Sequence, residues 1–434
     1  MMTTKLIMKT SKNWSKINGA ILAANRKEGA RLVLVALLFL LGKTTVAGEA
    51  GHNPFLASAN QQLAQTIEYI FQENYPAADS VCSEIISDYP QHPAGYFMKG
   101  ILHWKQGYFL NRYNEYNDST LIWFSQAIDI ADRGMKTTPG DASIYFFAGG
   151  AYGYQGSVYA RRKSWLKTGM AAYHGIRLLE KSMAMDSSLY DIYYGSGLYH
   201  VLASHQPGII RWLQRLLPIP AGDAKLGLQY LQLAVNKGEF TSLAAVSALG
   251  LAYVYYENEY EKAIELLSPL VARYPRNLDF MTNLINAYFY REMTRPTNDW
   301  QPVLKLIDQA RQEVRTRNID IQTWWLDKFD FIEGYSDYMN GELDSAARIL
   351  GAYCNKYPQK GDSYLTALGY LTLGKIADRQ SNRKEAIAYY KKVSGLEQMG
   401  NEKQLAEKYL QNPFQNETNS NPFNGAFADI QDRP

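Results

Sequence analysis

From Tyr370 the chain reads YLTLGKIADRQSNRKEAIAYYKKV, and its apolar positions fall on two helical faces separated by a polar turn. Tyr370, Leu373, Gly374 and Ala377 share the first face, and Ala386, Tyr390 and Val393 share the second. Gly374 and Ala386 are small enough to let two antiparallel helices approach, while the larger residues fill the groove beside them. The same order returns with Leu249, Gly250 and Val254 followed by Ala263, Leu267 and Leu270, and it stops at Pro275. A proline there lacks the amide hydrogen that another helical turn needs. Gly334 with Ala346, Leu350, Tyr353 and Pro358 repeats the pattern, and Ala78, Cys82, Ile85 and Pro90, followed by Tyr96 and Gly100, repeat it more weakly. Helix pairs are therefore predicted over 59–110 and 243–395.

The middle of the chain keeps the pattern but stretches it. Tyr145, Ala148, Gly149 and Tyr152 read as the first helix of a pair, and 156–167 intervene before a helix containing Ala172, Ile176 and Leu179. Tyr194, Gly195 and Leu198 read as another first helix. Its partner is delayed to 226–234 by the segment SHQPGIIRWLQRLLPIPAGD. A repeat that needs only its neighbours tolerates such insertions, which makes them candidates for specificity.

The bulky residue with Leu-Gly in one helix and alanine in the next resembles the tetratricopeptide pattern. The run YFFAGGAYGYQGSVYARRKSWLKTGMAAYHGIRLLEKSM, with LYDIYYGSGLYHVL and RWLQRLLPIPAGD, resembles a group of exported bacterial tetratricopeptide proteins. That resemblance covers residues 140–290, and the general repeat likeness extends to 410. It implies an all-α, tetratricopeptide-like α-α superhelical solenoid with central insertions, in a secreted or periplasmic setting, and it supplies no catalytic residue. The expected organisation is a signal over 1–47, N-terminal helical repeats over 59–138, irregular central repeats over 139–242, C-terminal repeats over 243–410 and a loose tail over 411–434. The tail is rich in Asn and punctuated by proline, and Phe414 and Phe423 are its candidates for local docking.

The first fifty residues follow a different rule. Lys5, Lys9, Lys12, Lys16, Arg26, Lys27 and Arg31 precede the apolar run 32–41, and Thr45 and Ala47 supply small residues for cleavage after Ala47. The run is short of the ~20 residues a spanning helix needs. The long basic region leaves inner-membrane anchoring by an uncleaved signal as the second reading. Residues 1–47 carry eight Lys or Arg and one Glu, so their removal takes the net charge from +3 to −4. The basicity belongs to the signal, and no electrostatic case remains for nucleic acid. Cys82 and Cys354 both fall where a second helix wants a small apolar residue, which reads as two buried free thiols in preference to a disulfide.

Thirty-three tyrosines and 8 tryptophans fill helix seams and binding faces alike, so their abundance alone locates no site. Transferring the tetratricopeptide geometry, in which first helices line the concave face, points outward at Phe146, Tyr154, Tyr199, His200, Tyr255 and Tyr256, then at Lys375, Asp378 and Arg379. An aromatic stripe of this kind suits an extended peptide or a sugar chain, and the charged residues suit a terminal carboxylate. The competing reading makes the tyrosines ordinary seam packing. Arg161, Arg162 and Lys163 form a basic patch suited to phosphate, an acidic glycan or an anionic headgroup, or simply a solvated helix start. Trp212, Leu213 and Leu216, with Ile209, Ile210 and Leu217, read as a short amphipathic helix that serves as an interface or as an internal brace.

No HExxH run, Walker loop or G-x-S-x-G elbow is present, and the six histidines share no metal-ligand spacing with Cys or carboxylates. Asp330 and Glu333, one example of a carboxylate pair, lie on one helical side, and their being surface helix residues explains the pair without catalysis. The sequence thus predicts no enzyme, no cofactor and no metal. It predicts an exported scaffold or adaptor with a protein partner and possible envelope association. The alternative is a periplasmic glycan- or small-ligand-binding module using an aromatic groove.

Overall fold

The computed structural model describes residues 54–109, 112–205, 222–294, 299–317, 324–357, 363–396 and 401–415. The expected signal at 1–47, the interface residues Trp212, Leu213 and Leu216, and most of the tail lie outside the described residues. Among those described, every regular element is helical. The helices are α1 (Pro54–Phe71), α2 (Tyr75–Asp88), α3 (Ala94–Phe109), α4 (Tyr113–Thr137), α5 (Ala142–Arg161), α6 (Trp165–Met185), α7 (Ile192–Ser204) and α8 (Ala224–Lys237). They continue with α9 (Ser242–Ala252) and a π-helical turn (Tyr253–Glu257), then α10 (Tyr260–Arg273), α11 (Leu278–Thr294), α12 (Gln301–Thr316) and α13 (Trp324–Asn340). The last four are α14 (Leu343–Lys356), α15 (Ser363–Arg379), α16 (Arg383–Ser394) and α17 (Glu402–Gln411).

The contacts between these helices have the order of a repeat. Odd-numbered helices pack on the even-numbered helix that follows, as in α1 on α2, α3 on α4, α5 on α6, α7 on α8, α9 on α10, α13 on α14 and α15 on α16. Odd helices also touch the next odd helix, in α1 with α3, α3 with α5, α7 with α9, α13 with α15 and α15 with α17. The fold is the expected all-α, tetratricopeptide-like stack of helix pairs. First helices start at Pro54, Ala94, Ala142, Ile192 and Ser242, an interval that always exceeds the about 34 residues of a plain tetratricopeptide unit.

Two local devices recur and explain where each pair turns. The turn inside a pair carries one residue in the left-handed region: Glu73 (φ 58°), Lys163 (57°), Asn258 (55°), Gly341 (88°) and Ser381 (61°). The next amide closes a Schellman motif onto the first helix, with Asn74, Ser164, Glu342 and Asn382 N–H each donating at 2.8 Å to the carbonyl of Tyr69, Tyr159, Asp337 and Ala377. In the fifth pair the π turn adds a residue, and Glu259 N–H reaches Tyr253 at 2.9 Å. The second device ends the second helix. Tyr89, Thr138, Tyr274 and Tyr357 are C-caps with φ −134 to −123° and ψ 56 to 65°. Each precedes a proline, whose ring bars the helical region to the residue before it.

The small residues at the seams behave as their spacing predicts. A Cβ on Gly250 would stand 2.7 Å from Leu267, and one on Gly374 would stand 2.3 Å from Tyr390. Ala263 and Ala386 are fully buried. The central pairs approach more closely still, backbone to backbone. A Cβ on Gly149 would stand 2.9 Å from the Gly175 carbonyl, across α5 and α6. Across α7 and α8, a Cβ on Gly227 would stand 2.5 Å from the amide of Val201, and one on Gly197 would stand 2.7 Å from that of Leu231. Gly195, to which the spacing pointed, is only half-buried; Gly197 makes the approach.

The chain divides into two compact units, and the boundary falls between Leu284 and Ile285, inside α11. In the first unit the chain returns on itself. The Glu68 carboxylate of α1 accepts from the Tyr274 hydroxyl at 2.6 Å and from Arg273 at 2.8 Å, and Asn277 donates to the Phe71 carbonyl at 2.8 Å. Phe71 meets Phe280 edge-on with ring centres 5.1 Å apart, and Lys105 of α3 is ion-paired to Asp279. The second unit ends on α17, where Tyr409 packs on Tyr390 and Phe414 packs edge-on against Tyr409 at 5.3 Å. Cys82 and Cys354 are free and buried, and burial pushes both thiols up to about 12.

Candidate functional site

Two of the aromatic residues expected on an outward face, Phe146 and Tyr199, are held in the interior of the first unit, and Tyr154, His200, Tyr255 and Tyr256 are half-buried. Phe146 is buried, meeting Phe147 edge-on at 4.9 Å and Phe240 at 5.8 Å. Its neighbours continue the cluster, since Phe147 also stacks on Phe240 and meets the His92 ring edge-on. Tyr199 is 1% exposed and meets His200 edge-on, so it too packs inside and not on an open face. Phe240, from the turn after α8, and Phe55 of α1 both reach the Phe146–Phe147 pair of α5, which places more apolar surface over that helix than a repeat considered alone would offer.

Tyr154 is half-buried, stacked on Phe124 with centres 5.3 Å apart and flanked edge-on by Trp104 and Phe97. Burial holds its phenol well above the ordinary tyrosine range, beside the hydroxyl of Tyr194. Trp104 donates its indole N–H to Ser157 at 3.2 Å. Tyr255 and Tyr256 are half-buried on the π turn, and Tyr256 lies 4.5 Å from the His205 ring and packs on the cluster of Leu198, Leu202 and Leu249. Half-buried Glu180, whose carboxyl burial raises to about 7 against the pull of Arg177, sits beside Tyr199.

The basic patch is split: Arg161 lies against α4, and Arg162 and Lys163 are exposed. The Arg161 guanidinium lies 4.6 Å from the Tyr113 ring centre, and Arg162 is paired to Asp118 at 2.6 Å. Lys163 occupies the left-handed turn position and is exposed. The three cations therefore do not form one fork for a phosphate. In the second unit the predicted carboxylate clamp is filled by the chain's own end. Asp378 accepts from Arg383, from the Tyr390 hydroxyl at 3.0 Å and from the Phe414 amide at 2.7 Å, and the Lys375 ammonium sits 5.2 Å from the Phe414 ring centre. Arg379 is exposed, 5.9 Å from the Tyr338 ring centre. Asp330 and Glu333 both bind Arg311, which holds them as ion-pair partners.

One surface escaped the sequence reading. Leu166, Met170 and Tyr173 are 78%, 55% and 39% exposed, and their spacing puts them on one side of α6. Thr168, Ala171, Ala172, Ile176 and Leu179 are buried on the opposite side. The signal was present as two apolar stripes on one helix, and only the inner stripe was used. Among the described residues no group of three His, Cys, Asp or Glu is placed to hold a metal ion, and no helix is long and apolar enough to cross a membrane.

Neither the family models nor the curated proteins contain a match to the sequence. Among solved structures, the tetratricopeptide domain of P58(IPK) is similar at a TM-score of 0.27 and 9% identity, over 81% of this chain and 96% of that chain.

Proposed function

We propose that the chain is a scaffold that binds a protein partner in the cell envelope, exported by its N-terminal segment. The observation that carries this is the repeated helix pair itself. The pairs use their small seam residues and caps for stacking, and side chains at the turns and outer faces are left for contact. The basic, apolar and small-residue order of 1–47 supports export, and the change of net charge on its removal fits a protein working outside nucleic-acid compartments. Phe146 and Tyr199 are buried, so a glycan reading would rest on the half-buried Tyr154 and Tyr255.

The contact positions we propose are Tyr255 and Tyr256 on the π turn, Arg162 at the third pair's turn and Arg379 at the eighth. Photo-crosslinking residues placed singly at 255 and 379 in living cells test this. A discrete envelope protein captured from either position, and not from the buried control position 147, is the expected result. Failure of both positions to capture any partner, with export confirmed by fractionation, would sink the proposal.

A further inference from the structure

The outer faces of the second helices in the first unit are polar, with one exception. Ser80 and Glu84 face outward on α2, Gln229 and Gln232 on α8, and Glu261 and Glu265 on α10. On α4 the exposed positions include Asp118, Gln126 and Asp129, with Ile122 as the lone apolar residue. On α6 the corresponding face presents Leu166, Met170 and Tyr173 along about 10 Å of helix. Three of the four large hydrophobic residues exposed among the described residues thus lie on two turns of one helix. Packing inside the unit does not require them, because the buried face of α6 is opposite.

The exposed charged side chains along the outer side of α6 are cations. Lys163 and Lys167 flank the stripe at the helix start, and Arg177 and Lys181 continue the same outer side. Glu180 is the single carboxylate of α6 and lies beside Arg177, Asp118 of α4 is ion-paired to Arg162, and Asp129 and Asp132 of α4 act on Tyr152, which stacks on His174. An outward-facing helix with large apolar side chains in its middle and cations on its flanks matches an anionic lipid surface. Leu, Met and Tyr enter the headgroup boundary while Lys and Arg meet the lipid phosphates. We propose that α6 docks the first unit onto an anionic membrane surface through Leu166, Met170 and Tyr173, held by Lys163, Lys167 and Arg177. The docking is independent of the protein partner proposed above.

The apolar run at 32–41 also has affinity for lipid, so the test reads position and not bulk binding. An environment-sensitive fluorophore is attached to the full-length Met170→Cys protein; the two native thiols are buried and leave the new one as the reactive site. Vesicles of phosphatidylcholine with and without phosphatidylglycerol carry a lipid-borne quencher. The expected result is quenching at 170 on anionic vesicles alone, little quenching of the same probe at Gln229→Cys, and a loss of roughly tenfold or more in the Lys167→Glu, Arg177→Glu double variant. Higher salt weakens the signal. No quenching at 170, equal quenching at 229, or quenching indifferent to the charge reversal overturns the proposal. So does a dimer in sedimentation velocity that Leu166→Ser dissociates, since the face is then an interface between copies of the chain.

Discussion

Of the five residues in the left-handed turn position, only Gly341 lacks a Cβ, and Asn258 is the next most tolerant of that backbone. Gly341→Ala is expected to destabilise the second unit by about 1 kcal/mol, and Ser381→Gly to stabilise it by a comparable or smaller amount, both read by denaturant unfolding. His92 offers a pH-dependent counterpart. Its Nδ1 accepts from the Ala94 amide and its Nε2 faces the Ser143 hydroxyl at 3.0 Å, while the ring stacks on Phe55. Burial keeps the imidazole neutral well below its ordinary 6.5, against the opposing pull of Asp141. The unfolded chain takes up a proton near 6.5 that the native state refuses, so this contribution is complete above that pH and is lost as pH falls below it. The melting temperature is expected to drop between pH 7 and pH 5, and His92→Gln is expected to flatten that drop.

Between elements, what matters is which kind of atom each seam glycine faces. Gly250 and Gly374 oppose side chains, Leu267 and Tyr390, that can turn aside. Gly227 opposes the amide of Val201 and the carbonyl of Gly197, which cannot move without separating the helices. Gly250→Ala should therefore cost roughly 1–3 kcal/mol and Gly227→Ala at least roughly 3 kcal/mol, compared by thermal unfolding of the two variants. The difference also explains what could be read from sequence. The Gly250 with Ala263 and Gly374 with Ala386 spacings survive intact, so those helix pairs were legible. In the fourth pair a long segment separates Gly197 from Gly227, and no fixed interval marks them as partners. The outer stripe of α6 was hidden for a different reason: one helical period carried both an inner and an outer apolar face, and burial cannot be assigned from spacing alone.

In the unit ending at Leu284, the contacts of Glu68, Phe71 and Lys105 with residues 273–280 join parts of the chain that no repeat period relates. Phe146 is covered in a comparable way, by Phe240 from the turn between α8 and α9, a residue that no repeat period relates to it. A stack linked only through neighbours loses its ends one pair at a time. Here Phe71→Ala is expected to raise amide exchange at 274–284 as well as in α1, in a hydrogen-exchange experiment at neutral pH. Exchange confined to α1 and α2 would show that the return contacts contribute little. Most stacks of this class can gain or lose a unit and remain whole, because their last member faces water. A chain whose sixth first-helix must find its opening one has no such freedom: duplicating one pair would displace Asn277 and Phe280 from their seats. The number of pairs there is thus a fixed property of the molecule, as length is for a belt cut to a single waist.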